Sequence, residues 1–81
     1  MTKVKENNLM VVYRDGSKIV RRPKVVPDGC VLTERELVEY SSTDGTLGRT
    51  KCLIMLHHRL QCDMRKALDT LLAVEGETIE Y

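Results

Sequence analysis

Apolar residues cluster in Leu9-Met10-Val11-Val12-Tyr13 and again in Ile19-Val20, on either side of the polar pair Asp15-Gly16. Two β-branched runs around an Asp-Gly pair predict a β-hairpin over residues 9–22, with Asp15-Gly16 taking the positive φ angles of a type I′ turn. A two-residue loop there sets Val12 opposite Ile19 and Val11 opposite Val20. Alternation then places Met10, Val12 and Ile19 on one face and Leu9, Val11, Tyr13 and Val20 on the other. Both faces are partly apolar, so both call for some cover.

Beyond the hairpin the pattern changes. Pro23 and Pro27 cannot donate ladder hydrogen bonds, which suits Val25-Val26 to an edge strand or an extended loop. Val26-Pro27-Asp28-Gly29 fits a β-turn with proline second and glycine fourth. Leu32-Thr33-Glu34-Arg35-Glu36-Leu37 is a helix start: Thr33 as N-cap, Glu36 completing a capping box, Leu32 and Leu37 at the staple positions. This first helix is expected over about residues 34–41.

Ser41 to Thr50 reads as a loop, with Gly45 and Gly48 as breakers. A second, long helix is expected over about residues 50–74, stopped by Gly76. At 100° per residue, Leu53, Leu56, His57, Leu60, Met64, Ala67, Leu68 and Leu71 form one broad stripe. The tail, residues 77–81, alternates and suits a short strand beside the hairpin or a frayed end. The expected fold is therefore one small α+β domain: an N-terminal β-hairpin, with room for a third short strand, packed on a short helix and a long C-terminal helix.

Composition sharpens this picture. The chain has 81 residues and no Phe or Trp; its aromatics are Tyr13, Tyr40 and Tyr81. A domain of this size buries only about three-fifths of its unfolded surface, and an aliphatic core without large rings weakens it further. A homodimer, or a protein partner that completes the core, is the expectation that follows. Thirteen basic and twelve acidic residues nearly balance. They are unevenly placed, because Lys3, Lys5, Arg14, Lys18, Arg21, Arg22 and Lys24 precede Leu32 with only Glu6, Asp15 and Asp28 among them. Such polarity serves either a nucleic-acid contact or neutralisation by the acidic second half, and the second is favoured.

The opening MTKVKENN has no apolar core of a signal peptide, and the longest apolar run, Cys52-Leu53-Ile54-Met55-Leu56, is far too short to span a bilayer. The three cysteines cannot all pair within one chain. A cytoplasmic protein with reduced thiols is expected, with no membrane contact.

KCLIMLHHRLQC, residues 51–62, raises the question of cysteine–histidine chemistry. On a continuous helix Cys52 and Cys62 lie roughly 15 Å apart along the axis, too far to share a metal. Only His58 and Cys62 share a face, and no acid is distinctively placed to complete a nucleophilic site. G-x-S-x-G, H-E-x-x-H and P-loop patterns are absent. No cofactor, metal or catalytic residue is expected, and His57 is expected to face the core with a hydrogen-bond partner.

Gly45-Thr46-Leu47-Gly48 between two helices has the G-x-x-G form with which KH domains clamp a nucleic-acid backbone, but Asp44 before it would repel phosphate and the following helix is too long. It reads as a flexible connection.

The functional signal is the surplus of apolar surface early in the long helix. Ile54, Met55, His58 and Cys62 lie off the main stripe, so this segment is apolar on most sides and must be covered on most sides. These four residues are the expected protein interface of a small non-catalytic binding module, a regulator or inhibitor. Size and self-contained composition extend the expectation to a phage or mobile-element origin. The alternative is a nucleic-acid-binding regulator that uses Tyr13, Lys18, Arg21, Arg22 and Lys24 on the hairpin, with Arg49 and Lys51. A second alternative is a structural homodimer subunit with no ligand.

Overall fold

The computed structural model describes residues 1–42 and 45–81. Thr43 and Asp44, in the middle of the expected loop, lie outside the described residues, and so does the predicted repulsion of phosphate by Asp44. The elements are β1 (Thr2–Glu6), β2 (Met10–Asp15), β3 (Lys18–Pro23), α1 (Glu34–Ser42), α2 (Gly45–Leu60), α3 (Met64–Glu75) and β4 (Ile79–Glu80). The expected small α+β fold is present, with an antiparallel sheet in the order β3-β2-β1-β4.

The hairpin forms with a shifted register. Val12 pairs with Arg21 and Asp15 with Lys18, so the loop is Gly16-Ser17 rather than Asp15-Gly16. Gly16 has φ +63° and Ser17 is not left-handed, the requirement of a type II′ turn with glycine first. The partner moves by two residues, so each side chain stays on its expected face. The third strand is β1, from the lysine-rich opening segment that shows no strand pattern of its own. β1 carries one extra residue, Val4, as a bulge between the pairs Lys3↔Tyr13 and Lys5↔Val12. The tail returns as β4 but pairs with β1, not with the hairpin. Val25-Val26 is not a strand. The following turn starts one residue late: Cys30 N–H donates to the Pro27 carbonyl at 3.1 Å, with Gly29 third at φ +76°.

The capping box closes in both directions. The Thr33 N–H donates to Glu36 Oε2 at 2.7 Å and the Glu36 N–H to Thr33 Oγ1 at 3.3 Å. Leu32 and Leu37 are both buried, as the staple requires. Arg59 of α2 donates to Glu36 Oε2 at 3.1 Å and to the Val31 carbonyl, tying the end of α2 to the start of α1. That guanidinium holds the Glu36 carboxyl below its ordinary range.

The expected long helix is two helices. Gln61 takes φ +49°; its N–H donates to the His58 carbonyl, and the Cys62 N–H donates to the His57 carbonyl. This pair of bonds is a Schellman C-cap with glutamine in the left-handed position that glycine usually fills. Asp63 then caps α3 by accepting from the Lys66 N–H at 2.7 Å. The apolar spacing runs on through the break, which is why periodicity alone joins the two helices. α3 folds back antiparallel to α2, bringing Glu75 at its end beside Arg49 near the start of α2.

Gly45 and Gly48 lie inside α2 rather than in a loop. A Cβ at Gly48 would sit 2.5 Å from the Tyr40 carbonyl oxygen, so this glycine lets α2 cross α1 at backbone contact. The core combines Leu9, Met10 and Val12 from the sheet, Leu32, Leu37 and Tyr40 from the α1 region, Cys52 and Leu56 from α2, and Ala67 and Leu71 from α3. α1 packs against β2 and β3 and against α2, which in turn packs against α3.

Candidate functional site

The expected interface residues do not form one patch. Ile54 is 46% exposed and His58 is exposed, one turn apart on the outer side of α2. Met55 is half-buried, its sulfur accepting from Arg59 at 3.4 Å. Cys62 packs against the core beyond the end of α2. The break at Gln61 ends the helical relation between His58 and Cys62. His57 is half-buried, and its Nδ1 is enclosed with no hydrogen-bond partner among the described residues, contrary to expectation. Cys52 is 2% exposed, and burial pushes its thiol up to about 11, which makes it a poor nucleophile.

The basic ribbon is also dispersed. Strand alternation puts Tyr13, Lys18 and Arg22 on the sheet face away from Met10 and Val12, with Arg21 on the opposite face. Lys24 is paired with Glu6 at 3.2 Å, and Arg49 with Glu75 at 2.9 Å. Lys51 is exposed on α2, remote in sequence and element from the hairpin. Two of the seven expected contacts are thus committed to internal acids, but each pair lies within one half of the chain, so neither is the neutralisation of the basic first half by the acidic second half that the charge asymmetry favoured.

The structure instead places a cleft of about 590 Å³ between the inner face of the sheet and the α2–α3 hairpin. Met10 and Val12 of β2 with Lys5 and Arg21 of the flanking strands form one wall, and Leu53, Leu68 and Leu72 form much of the other. Polar groups meet at the floor. Asn7 Nδ2 donates to the Tyr40 hydroxyl at 3.5 Å, and Arg49 Nε donates to Glu75 Oε1 at 2.9 Å. Glu75 is only 6% exposed. Its backbone carbonyl accepts from the Asn8 N–H at 2.9 Å, which fixes the end of α3 to the β1–β2 turn. Gly76 keeps that junction close, since φ is +68° and a Cβ would meet the Asn8 amide at 2.4 Å. Burial pushes the Tyr40 phenol up to about 12, and the Glu75 carboxylate adds to the effect, so Tyr40 is neutral at physiological pH.

Sequence reasoning missed most of this. Lys5 sits in a segment with no strand signal, and Leu72 falls off the expected stripe. The detectable signal was the spacing of Met64, Leu68 and Leu72, one apolar residue per turn beside the buried Ala67 and Leu71. Met64 and Leu72 are both exposed and Leu68 half-buried. No helix among the described residues is long and apolar enough to cross a membrane. No protein-family model matches the chain, and no curated protein or solved structure shows significant similarity to it.

Proposed function

We propose that this protein is a non-catalytic binding module that acts through a protein partner in the cytoplasm, using the cleft and the adjoining outer side of α3. The observation that carries the reading is the row Met64, Leu68 and Leu72, exposed at its two ends and half-buried at Leu68. α3 is apolar on two sides; Ala67 and Leu71 are covered by the core, while Leu72 remains 46% exposed at the cleft. An apolar row that continues into an open cleft, with polar groups gathered at its floor, is the anatomy of a recognition surface. This reading shifts the proposed interface from Ile54, Met55, His58 and Cys62, where the sequence expectation put it, to α3 and the cleft.

Affinity capture from the native host tests this. Wild type and Ile54→Glu are expected to retain a common polypeptide that Leu72→Glu loses, with all three proteins showing the same circular dichroism. Equal capture by wild type and Leu72→Glu would sink the reading. Light scattering on the same proteins addresses the homodimer: a wild-type dimer converted to monomer by Leu72→Glu would assign the row to self-association instead.

A further inference from the structure

We propose that the cleft takes an acidic peptide segment bearing apolar side chains, presented by the protein partner; this rests on the protein-binding reading above and names the chemistry of the occupant. The argument is the division of charge around the cleft. Its acids are already neutralised: Glu75 by Arg49 at 2.9 Å, and Glu6 by Lys24 at 3.2 Å and Lys3 at 3.4 Å. Two of its cations are not. Lys5 and Arg21 line the sheet wall and form no ion pair among the described residues. Glu80 is the cross-strand neighbour of Lys5 but makes no ion pair with it and is not part of the lining.

Facing these cations, Leu53, Leu68 and Leu72 supply the apolar wall. An occupant must therefore offer carboxylates to one side and aliphatic groups to the other. A basic or neutral segment would leave Lys5 and Arg21 desolvated and unpaired, which is costly enough to discriminate against it. A nucleic-acid strand would satisfy the cations but not the leucines. A second copy of this chain carries an acidic apolar segment of its own at residues 77–81, with Ile79 and Tyr81 exposed, but Ile79 and Glu80 are already engaged as β4 beside β1, and self-occupancy is an outcome of the test.

The test uses the full chain and a fluorescein-labelled synthetic peptide of glutamate and leucine, with a lysine–leucine and a glutamate–serine peptide beside it. Fluorescence polarisation is expected to show binding of the glutamate–leucine peptide, with the other two weaker by roughly tenfold or more. Lys5→Glu with Arg21→Glu should weaken it by a similar factor, and the milder Lys5→Gln with Arg21→Gln by less. Backbone amide shifts should move at Lys5, Arg21, Leu53 and Leu72. The proposal is overturned if the lysine peptide binds equally well, if charge reversal has no effect, or if the shifts fall outside the cleft. It is equally overturned if an oligonucleotide displaces the peptide from these residues at lower concentration, or if dilution of the free protein moves the same residues as peptide does. Failure here with Leu72→Glu still abolishing host-protein capture removes the acidic occupant and leaves the binding surface. Failure of both removes the surface as well.

Discussion

Arg49 Nε donates to Glu75 Oε1 at 2.9 Å, closing the α2–α3 hairpin at the end opposite its Gln61 turn. Glu75 is buried at the C-terminal end of α3, where the helix dipole disfavours a negative charge. Its carboxylate therefore depends on Arg49. Arg49→Met should cost about 1–3 kcal/mol, less than a fully enclosed pair because the guanidinium is itself partly exposed. The double variant Arg49→Met/Glu75→Gln should recover part of that loss. Urea unfolding of both singles and the double measures the coupling, and strict additivity would show that the pair is not coupled.

Gly48 offers a sharper test of packing. Alanine is a better helix former than glycine by about 1 kcal/mol, so propensity alone favours Gly48→Ala. The added methyl would meet the Tyr40 carbonyl oxygen at 2.5 Å and the Tyr40 Cα at 2.8 Å, backbone atoms that cannot move without parting α1 from α2. Overpacking of this kind costs about 1–3 kcal/mol, and the loss should exceed the gain. A raised melting temperature for Gly48→Ala would refute close helix contact here.

Gln61 points the other way. A non-glycine residue with φ +49° carries a steric cost of about 1–2 kcal/mol, and the Schellman cap fixes it there. Gln61→Gly should stabilise the protein by about 0.5–1 kcal/mol after glycine's greater unfolded-state freedom is counted. Differential scanning calorimetry should show a higher melting temperature. If α2 and α3 formed one continuous helix, the same substitution would lower it instead.

Acid stability follows from Glu6. The Tyr81 hydroxyl, with Lys24 and Lys3, holds its carboxyl down at about 2, against an ordinary value of 4.5. The folded state thus favours the ionised form. This contribution is complete above about pH 4.5 and is lost as pH falls from there towards 2. Glu6→Gln should flatten the dependence of stability on pH in that window. Thermal unfolding of the variant at a series of acidic pH values checks it; a dependence as steep as the wild type's would place the responsible carboxylates elsewhere, with Glu36 the next to examine.

Legibility varied with how local the cause was. Thr33 and Glu36 form their capping box as read, because both partners lie within one helical turn. The hairpin faces were also legible, since alternation survives a register shift of two residues. β1 was not, because Thr2–Glu6 is a strand only in the company of β2, whose Val11 and Val12 supply the pairing that Lys3 and Lys5 cannot signal. The proposed binding surface divided in the same way. A surplus of helical apolar residues was evident, but its assignment to Ile54, Met55, His58 and Cys62 assumed one straight helix. The turn at Gln61 separates Cys62 from the other three, while Ile54 and His58 stay exposed on α2 and Met64 and Leu72 are exposed on α3.

By itself, then, the sequence determined the α+β composition, the hairpin and its faces, the start of α1 and the presence of more apolar surface than its helices could cover. These rest on periodicity and on hydrogen bonds between near neighbours. Tertiary structure decided the fold-back of α3, the passage of α2 across Tyr40 at Gly48, the pairing of Arg49 with Glu75 and the cleft they line. The turn of that fold-back is capped locally at Gln61 and Asp63, but the others join residues distant in the chain, and their energies come from contacts and charges that no local pattern encodes.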